Sequence, residues 1–178
     1  MNNQHLNEKK TRLSVDYFEK MHIIKNRKED EVAIMLIQFN FKNFRSFREE
    51  VTLDLSATKM TEFSERVVTI GSEKILPVAA IYGANASGKS NIYSAFEYMA
   101  EYVVDSFKYG DEEEKFEEYR PTPFLFDSTS ADAESSFEVY FTIPGDKNEK
   151  TYNYGFCVDQ EGVTEEWLNS KAKTARKY

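Results

Sequence analysis

Eight consecutive residues, Gly83-Ala84-Asn85-Ala86-Ser87-Gly88-Lys89-Ser90, combine the residue types that phosphate chemistry requires at the spacing it requires. The run satisfies the pattern G-x-x-x-x-G-K-[ST]. Gly83 and Gly88 let the backbone curl so that successive N–H groups face inward toward phosphate oxygens, where a side chain would block the approach. A helix opening near Lys89 turns its positive N-terminal end toward the same anion. Lys89 supplies a point charge to the β- and γ-phosphates, and the Ser90 hydroxyl is placed to ligate Mg²⁺. The chemistry expected of Gly83 to Ser90 is therefore the binding of ATP with Mg²⁺. From average residue usage such a pattern arises by accident in roughly one chain of this length in a hundred.

The flanking sequence has to position that loop. Pro77-Val78-Ala79-Ala80-Ile81-Tyr82 is apolar without alternation, which predicts a strand buried on both faces, as in a parallel sheet covered by helices. After the loop, Ile92, Ala95, Phe96, Met99, Val103 and Phe107 recur at helical spacing and predict a helix from about Lys89 to Lys108, ending near Gly110. Strand followed by loop followed by helix is the context in which the motif is meaningful.

Further strands follow from period-two alternation. Ile37, Phe39 and Phe41 alternate with polar residues, as do Val51, Leu53 and Leu55, and the two runs are expected to pair across the connection from Asn43 to Glu50. Val67 to Ile70 predicts a short strand closed by a turn at Gly71-Ser72. Phe137 to Ile143, Tyr152 to Val158 and Val163 to Leu168, separated by turns, predict an antiparallel meander. Residues 1–34 are polar and weakly periodic, with Val15, Phe18 and His22 on one possible helical face. They are expected to be a leader or disordered tail, with Met35 an alternative start. The acidic run Asp111 to Glu114 is expected to be a solvated loop. The domain is thus expected over residues 35–170, with 171–178 a truncated tail.

Composition narrows the function classes. A net charge of −8 does not suit a protein that binds nucleic acid over its whole surface. The lone Cys157 cannot build a disulfide framework, which fits a reducing compartment, and its place between core positions predicts a small buried residue. His5 and His22 are the two histidines, so a zinc site is not expected. No apolar run is long enough to span a membrane, and a cytoplasmic protein is expected. Trp167 is expected to anchor a core or an interface.

Beyond the loop, Asn43-Phe44-Arg45-Ser46-Phe47 after the first strand matches an N-F-[KR]-S-[FH] opening; Asn85 and Asn91 flank the loop lysine; Pro123-Phe124 precedes a strand; and Tyr154-Gly155-Phe156 precedes Glu166-Trp167-Leu168. Together these resemble the N-terminal lobe of ABC-type ATPase heads of SMC, Rad50, RecF and OLD-family proteins. Within that group the chain is most similar to bacterial AAA-family ATPases of the AAA_15 type, many of them encoded in phage-defence or abortive-infection loci. The resemblance spans about Met35 to Ser170. It implies an α/β P-loop NTPase fold, the N-terminal part of an ABC-type head with an antiparallel β subdomain. It implies ATP and Mg²⁺ as cofactors, with Asn91, Arg45 and Ser46 beside the nucleotide. It further implies homodimerisation through the heads and a nuclease or DNA partner engaged by regions beyond this chain.

A complete head also needs a Walker B acid pair, a signature motif from the partner head, a histidine switch and a Q-loop glutamine. None is recognisable; Gln160 falls in a hairpin turn. The chain is therefore expected to be a fragment or truncated gene product, an ATPase only in its intact parent and inactive alone. The competing reading is a non-catalytic remnant that acts through other subunits. A third, an unrelated P-loop kinase or GTPase, fits less well, because several strands precede the loop and no N-K-x-D run for guanine occurs.

Overall fold

The computed structural model describes residues 34–57, 62–109, 119–143 and 150–171. Residues 1–33 of the expected 1–34 leader, the acidic run and residues 172–178 lie outside the described residues. Phe-rich alternation builds the main sheet from β1 (Met35–Lys42), β2 (Val51–Asp54), β5 (Ser135–Thr142), β6 (Thr151–Val158) and β7 (Val163–Lys171). Their order is β2-β1-β5-β6-β7, and every pairing is antiparallel. The expected pairing of the first two runs and the expected meander are both present, and β1 joins them edge to edge through β5. Between these groups, β3 (Val68–Ile70) and β4 (Glu73–Ile75) form a small hairpin across Gly71, whose φ is 61°.

One helix dominates. Helix α1 (Lys89–Tyr109) lies close to its predicted limits. Its buried stripe of Ala95, Met99, Tyr102 and Val103 meets Phe39, Phe41, Phe137, Val139, Tyr154 and Phe156 from the facing side of the sheet. Phe137 and Phe156 face each other in register on adjacent strands, with ring centroids 5.5 Å apart, and Tyr102 stacks on Phe156 at 5.0 Å. Full burial of one such side chain contributes roughly 1.5–3 kcal/mol, so this face holds the helix to the sheet. Ile34, only 5% exposed, belongs to the same core. A short helix, α2 (Ser128–Ala131), capped by Asp127, interrupts the approach to β5.

The opposite sheet face is polar. Glu138 accepts hydrogen bonds from Asn40 Nδ2 (2.9 Å), Asn153 Nδ2 (2.8 Å) and Trp167 Nε1 (3.2 Å). Trp167 is half-buried and lies across Gly155. A Cβ there would come within 2.3 Å of the indole, so glycine is required for the ring to settle. Cys157 is buried, as expected, on this same face. Burial, followed by the nearby Glu134 carboxylate, pushes its thiol up to about 11. A disulfide reagent at pH 8 should therefore leave native Cys157 almost unmodified, and it should react at once after addition of denaturant. Rapid labelling of the native protein would contradict this packing.

The expectation for Pro77 to Tyr82 fails. The segment is not a strand, and Val78 (78% exposed), Ile81 and Tyr82 (90%) lie open. The physical reason is pairing. A central parallel strand needs hydrogen-bonding neighbours on both edges, and no described strand pairs with this segment. Its apolar side chains match a buried strand, but its backbone has no ladder to join. Among the described residues no helix is long and apolar enough to cross a membrane.

Candidate functional site

The candidate loop connects this open segment to α1. Residues 83–87 and Ser90 are exposed, while Gly88 and Lys89 are half-buried. The curl is made by two left-handed residues, Ala86 (φ 61°) and Gly88 (φ 87°). It is closed by Ser87 N–H donating to Ala84 O at 3.3 Å and by Asn91 N–H donating to Gly88 O at 2.8 Å. A left-handed φ is cheap for glycine, which explains Gly88; Ala86 takes the same region at a steric cost.

Lys89 turns back into the curl. Its ammonium donates to Gly83 O at 2.9 Å, Ala84 O at 2.5 Å and more weakly to Ser87 Oγ at 3.4 Å. Gly83, Ala84 and Ser87 are thus gathered around one cation, at the N-terminal end of a 21-residue helix. Two sources of positive potential converge there: a full charge on Lys89 and the partial charges of the first-turn N–H groups at the helix start. Ser90 sits in that first turn with its side chain open to solvent. Asn85 is exposed at the tip of the loop.

The Asn43–Phe47 turn lies against this loop. Asn91 Nδ2 donates to Ser46 Oγ at 2.8 Å, and Ser46 and Phe47 both touch Gly88. Arg45 makes its contacts elsewhere. Its N–H donates to Thr122 O at 2.7 Å, and its guanidinium lies over the Phe44 ring, 5.3 Å from the centroid. The structure therefore brings Ser46 and Asn91 together at the loop, whereas Arg45 reaches toward Phe44 and Thr122. Gln160 stays in its hairpin turn and donates to Pro121 O at 3.3 Å. Asp127, the α2 cap, has its carboxyl held below the usual range by the Thr129 and Ser130 hydroxyls.

Two residues outside the expected site set also hold this region together. Asn43 is buried, and its side-chain amide ties the turn to the segment before β5. Phe47 packs on Gly88. The signal for Asn43 was its residue type, since asparagine tolerates a left-handed backbone and carries two donors and an acceptor.

An antiparallel sheet with one long helix that follows a glycine-containing loop fits an α/β nucleotide-binding fold. The sequence model of the family described as "AAA domain, putative AbiEii toxin, Type IV TA system" matches residues 78–178, more than half of the chain. The chain belongs to that family, and an AAA-type, ATPase-like domain is thereby indicated. The matched stretch contains the loop, α1 and the meander, and it begins after β1, β2 and the Asn43–Phe47 turn. No curated protein matches the chain.

Proposed function

We propose that this chain is the ATP-binding N-terminal lobe of an SMC/RecF/OLD-like ATPase head. The observation that carries the reading is the curl of Gly83 to Ser87 around the Lys89 ammonium at the start of α1. Lys89 now spends its charge on neutral carbonyls. Anionic phosphate oxygens are stronger acceptors for the same ammonium, so exchange of partners on binding is favourable. The fit of the residues to ATP and Mg²⁺ is good: an exposed loop, a cation directed into it, and the Ser90 hydroxyl in the first helical turn. Gly83 to Lys89 would hold the phosphates, Ser90 would provide one oxygen to the metal, and Asn91 and Ser46 would brace the loop. Bound Mg²⁺ would offset phosphate charge.

Binding and turnover are separable. Hydrolysis also needs a carboxylate for the metal, a group to position water and charge on the γ-phosphate. In this reading those come from a complementary lobe and a second head, which would make the working unit a homodimer in DNA repair or phage defence. The open Val78–Tyr82 segment supports it, because an exposed apolar segment leading into the loop suits pairing with strands of such a lobe. The AbiEii wording of the family description is compatible with phage defence.

Calorimetry with ATP in the presence and absence of Mg²⁺ tests the assignment. Wild type should bind more tightly with the metal, and Ser90→Ala should lose most of that difference, about tenfold or ~1.4 kcal/mol. Neither sample should release phosphate. Equal affinity of wild type with and without Mg²⁺ would remove Ser90 as a metal ligand, and clear turnover would show a complete site in this chain.

A further inference from the structure

We infer that Phe47, assisted by Ser46, is a positioning residue that holds Gly88 in its left-handed conformation and thereby shapes the phosphate loop. The inference deepens the nucleotide-binding reading and rests on it for its consequence on affinity.

The argument begins at Gly88, whose φ of 87° is a region that side chains rarely adopt. A Cβ built there would lie 2.9 Å from Phe47 Cζ, 3.2 Å from Phe47 Cε2 and 3.0 Å from Ser46 Oγ. The ring edge and the hydroxyl therefore occupy the space that any side chain at this position would need. One residue type satisfies both the torsion and the space. The next contact made by the same turn falls three residues on: Ser46 Oγ accepts from Asn91 Nδ2 at 2.8 Å and fastens the first turn of α1. Adjacent residues of one turn thus grip the last glycine of the loop and the start of the helix.

A brace must itself be rigid. The Phe47 ring packs edge-on against Phe41, with centroids 5.3 Å apart and an interplanar angle of 86°. Phe44 and Phe47 exchange two backbone hydrogen bonds, at 2.9 and 3.0 Å. Asn43 (φ 53°) and Arg45 (φ 51°) are both left-handed without being glycine. Such backbone costs on the order of 1 kcal/mol or more per residue and persists only where the surroundings over-determine it. Here Asn43 does so, with its side-chain amide bonded to Ser130 O, Ala133 O, Glu134 O and Phe124 N–H. The turn is anchored to the sheet side and applied to the loop side. Convergent N–H groups bind an anion well only when their directions are set beforehand, because ordering them on binding subtracts from affinity.

¹⁵N relaxation of the full chain without nucleotide, followed by Mg-ATP titration, tests the inference. In wild type the Gly88 and Lys89 amides should have order parameters near the rigid value of about 0.85. In Phe47→Ala they should fall toward about 0.6 while β1 and β5 amides stay unchanged, and Phe47→Met, which restores apolar reach, should recover most of the rigidity. Mg-ATP affinity should follow the same order. Ser46→Ala, an exposed change that removes one hydrogen bond, should loosen Gly88 to Asn91 without lowering the melting temperature, and it serves if Phe47→Ala does not fold. Unchanged Gly88 and Lys89 dynamics in folded Phe47→Ala, or in Ser46→Ala, would overturn the brace. So would equal loosening of the sheet. ATP affinity lost in Lys89→Ala and kept in Phe47→Ala would also overturn the brace while leaving the nucleotide reading intact. A wild type that binds no ATP would remove that reading, and the relaxation arm would still decide the brace.

Discussion

Replacing Asn43 with alanine should destabilise the protein by about 3 kcal/mol, although the residue bears no charge. Asn43 is 3% exposed. Its Nδ2 donates to Ser130 O (2.8 Å), Ala133 O (2.9 Å) and Glu134 O (3.2 Å), and its Oδ1 accepts from Phe124 N–H (3.0 Å). Truncation leaves the half-buried Phe124 N–H and the buried Ser130 carbonyl short of partners, at roughly 1–3 kcal/mol for each group left unsatisfied, whereas the exposed Ala133 and Glu134 can turn their carbonyls to water. Alanine is also the poorer occupant of a backbone at φ 53°. Thermal unfolding should show a midpoint lowered by roughly 10 °C. Asn43→Asp is the informative companion. It keeps the acceptor for Phe124 and the tolerance for a left-handed backbone, but it sets a carboxylate against three carbonyl oxygens. It should be at least as damaging as alanine. If Asn43 were a simple turn residue, where Asp and Asn interchange, the Asp variant would melt with wild type, and that result would contradict the account.

This residue also marks the limit of what the chain reveals when read alone. The alternation of Phe39 and Phe41, of Phe137, Val139 and Phe141, and of Tyr154 and Phe156 was legible as strands because period-two burial is a local property. The helical stripe through Ala95, Met99 and Val103 was legible for the same reason, and so was the loop, whose eight residues are contiguous. Asn43 bonds to groups 81 to 91 positions away, so its role depends on which strands become neighbours. The contact of Phe47 with Gly88 depends equally on the packing of the first turn against a loop that comes 41 positions later. Neither follows from periodicity. Trp167 was expected to anchor a core or an interface; it is half-buried over Gly155 on the polar face, outside the hydrophobic core cluster, a place that only the β6–β7 register defines.

Pro77 to Tyr82 is the instructive failure. Its composition describes an environment, apolar on both sides, and a strand assignment assumes that the environment is present. Composition carries no information about whether neighbouring strands exist to accept its N–H and C=O groups. In the described chain they do not pair with it, and Val78 and Tyr82 stand open. The expectation for Arg45 came from resemblance alone; its backbone N–H bonds to Thr122 O and its guanidinium lies over the neighbouring Phe44 ring.

The second large effect concerns Lys89. Its ammonium is the cation directed into the loop, and its present acceptors are the exposed carbonyls of Gly83 and Ala84. Removing it from an exposed loop leaves carbonyls that water can satisfy, so Lys89→Ala should fold and melt like wild type. It should nevertheless lose a charge-assisted contact with the phosphates, and ATP affinity should fall by about tenfold or more, ~1.4 kcal/mol at least. Calorimetric titration of Mg-ATP into the full chain and into Lys89→Ala is the most direct test of the central claim. The account predicts measurable binding by wild type and a loss of at least about tenfold in a variant of unchanged melting temperature. Equal binding by the two proteins, or no binding by a folded wild type, would contradict it.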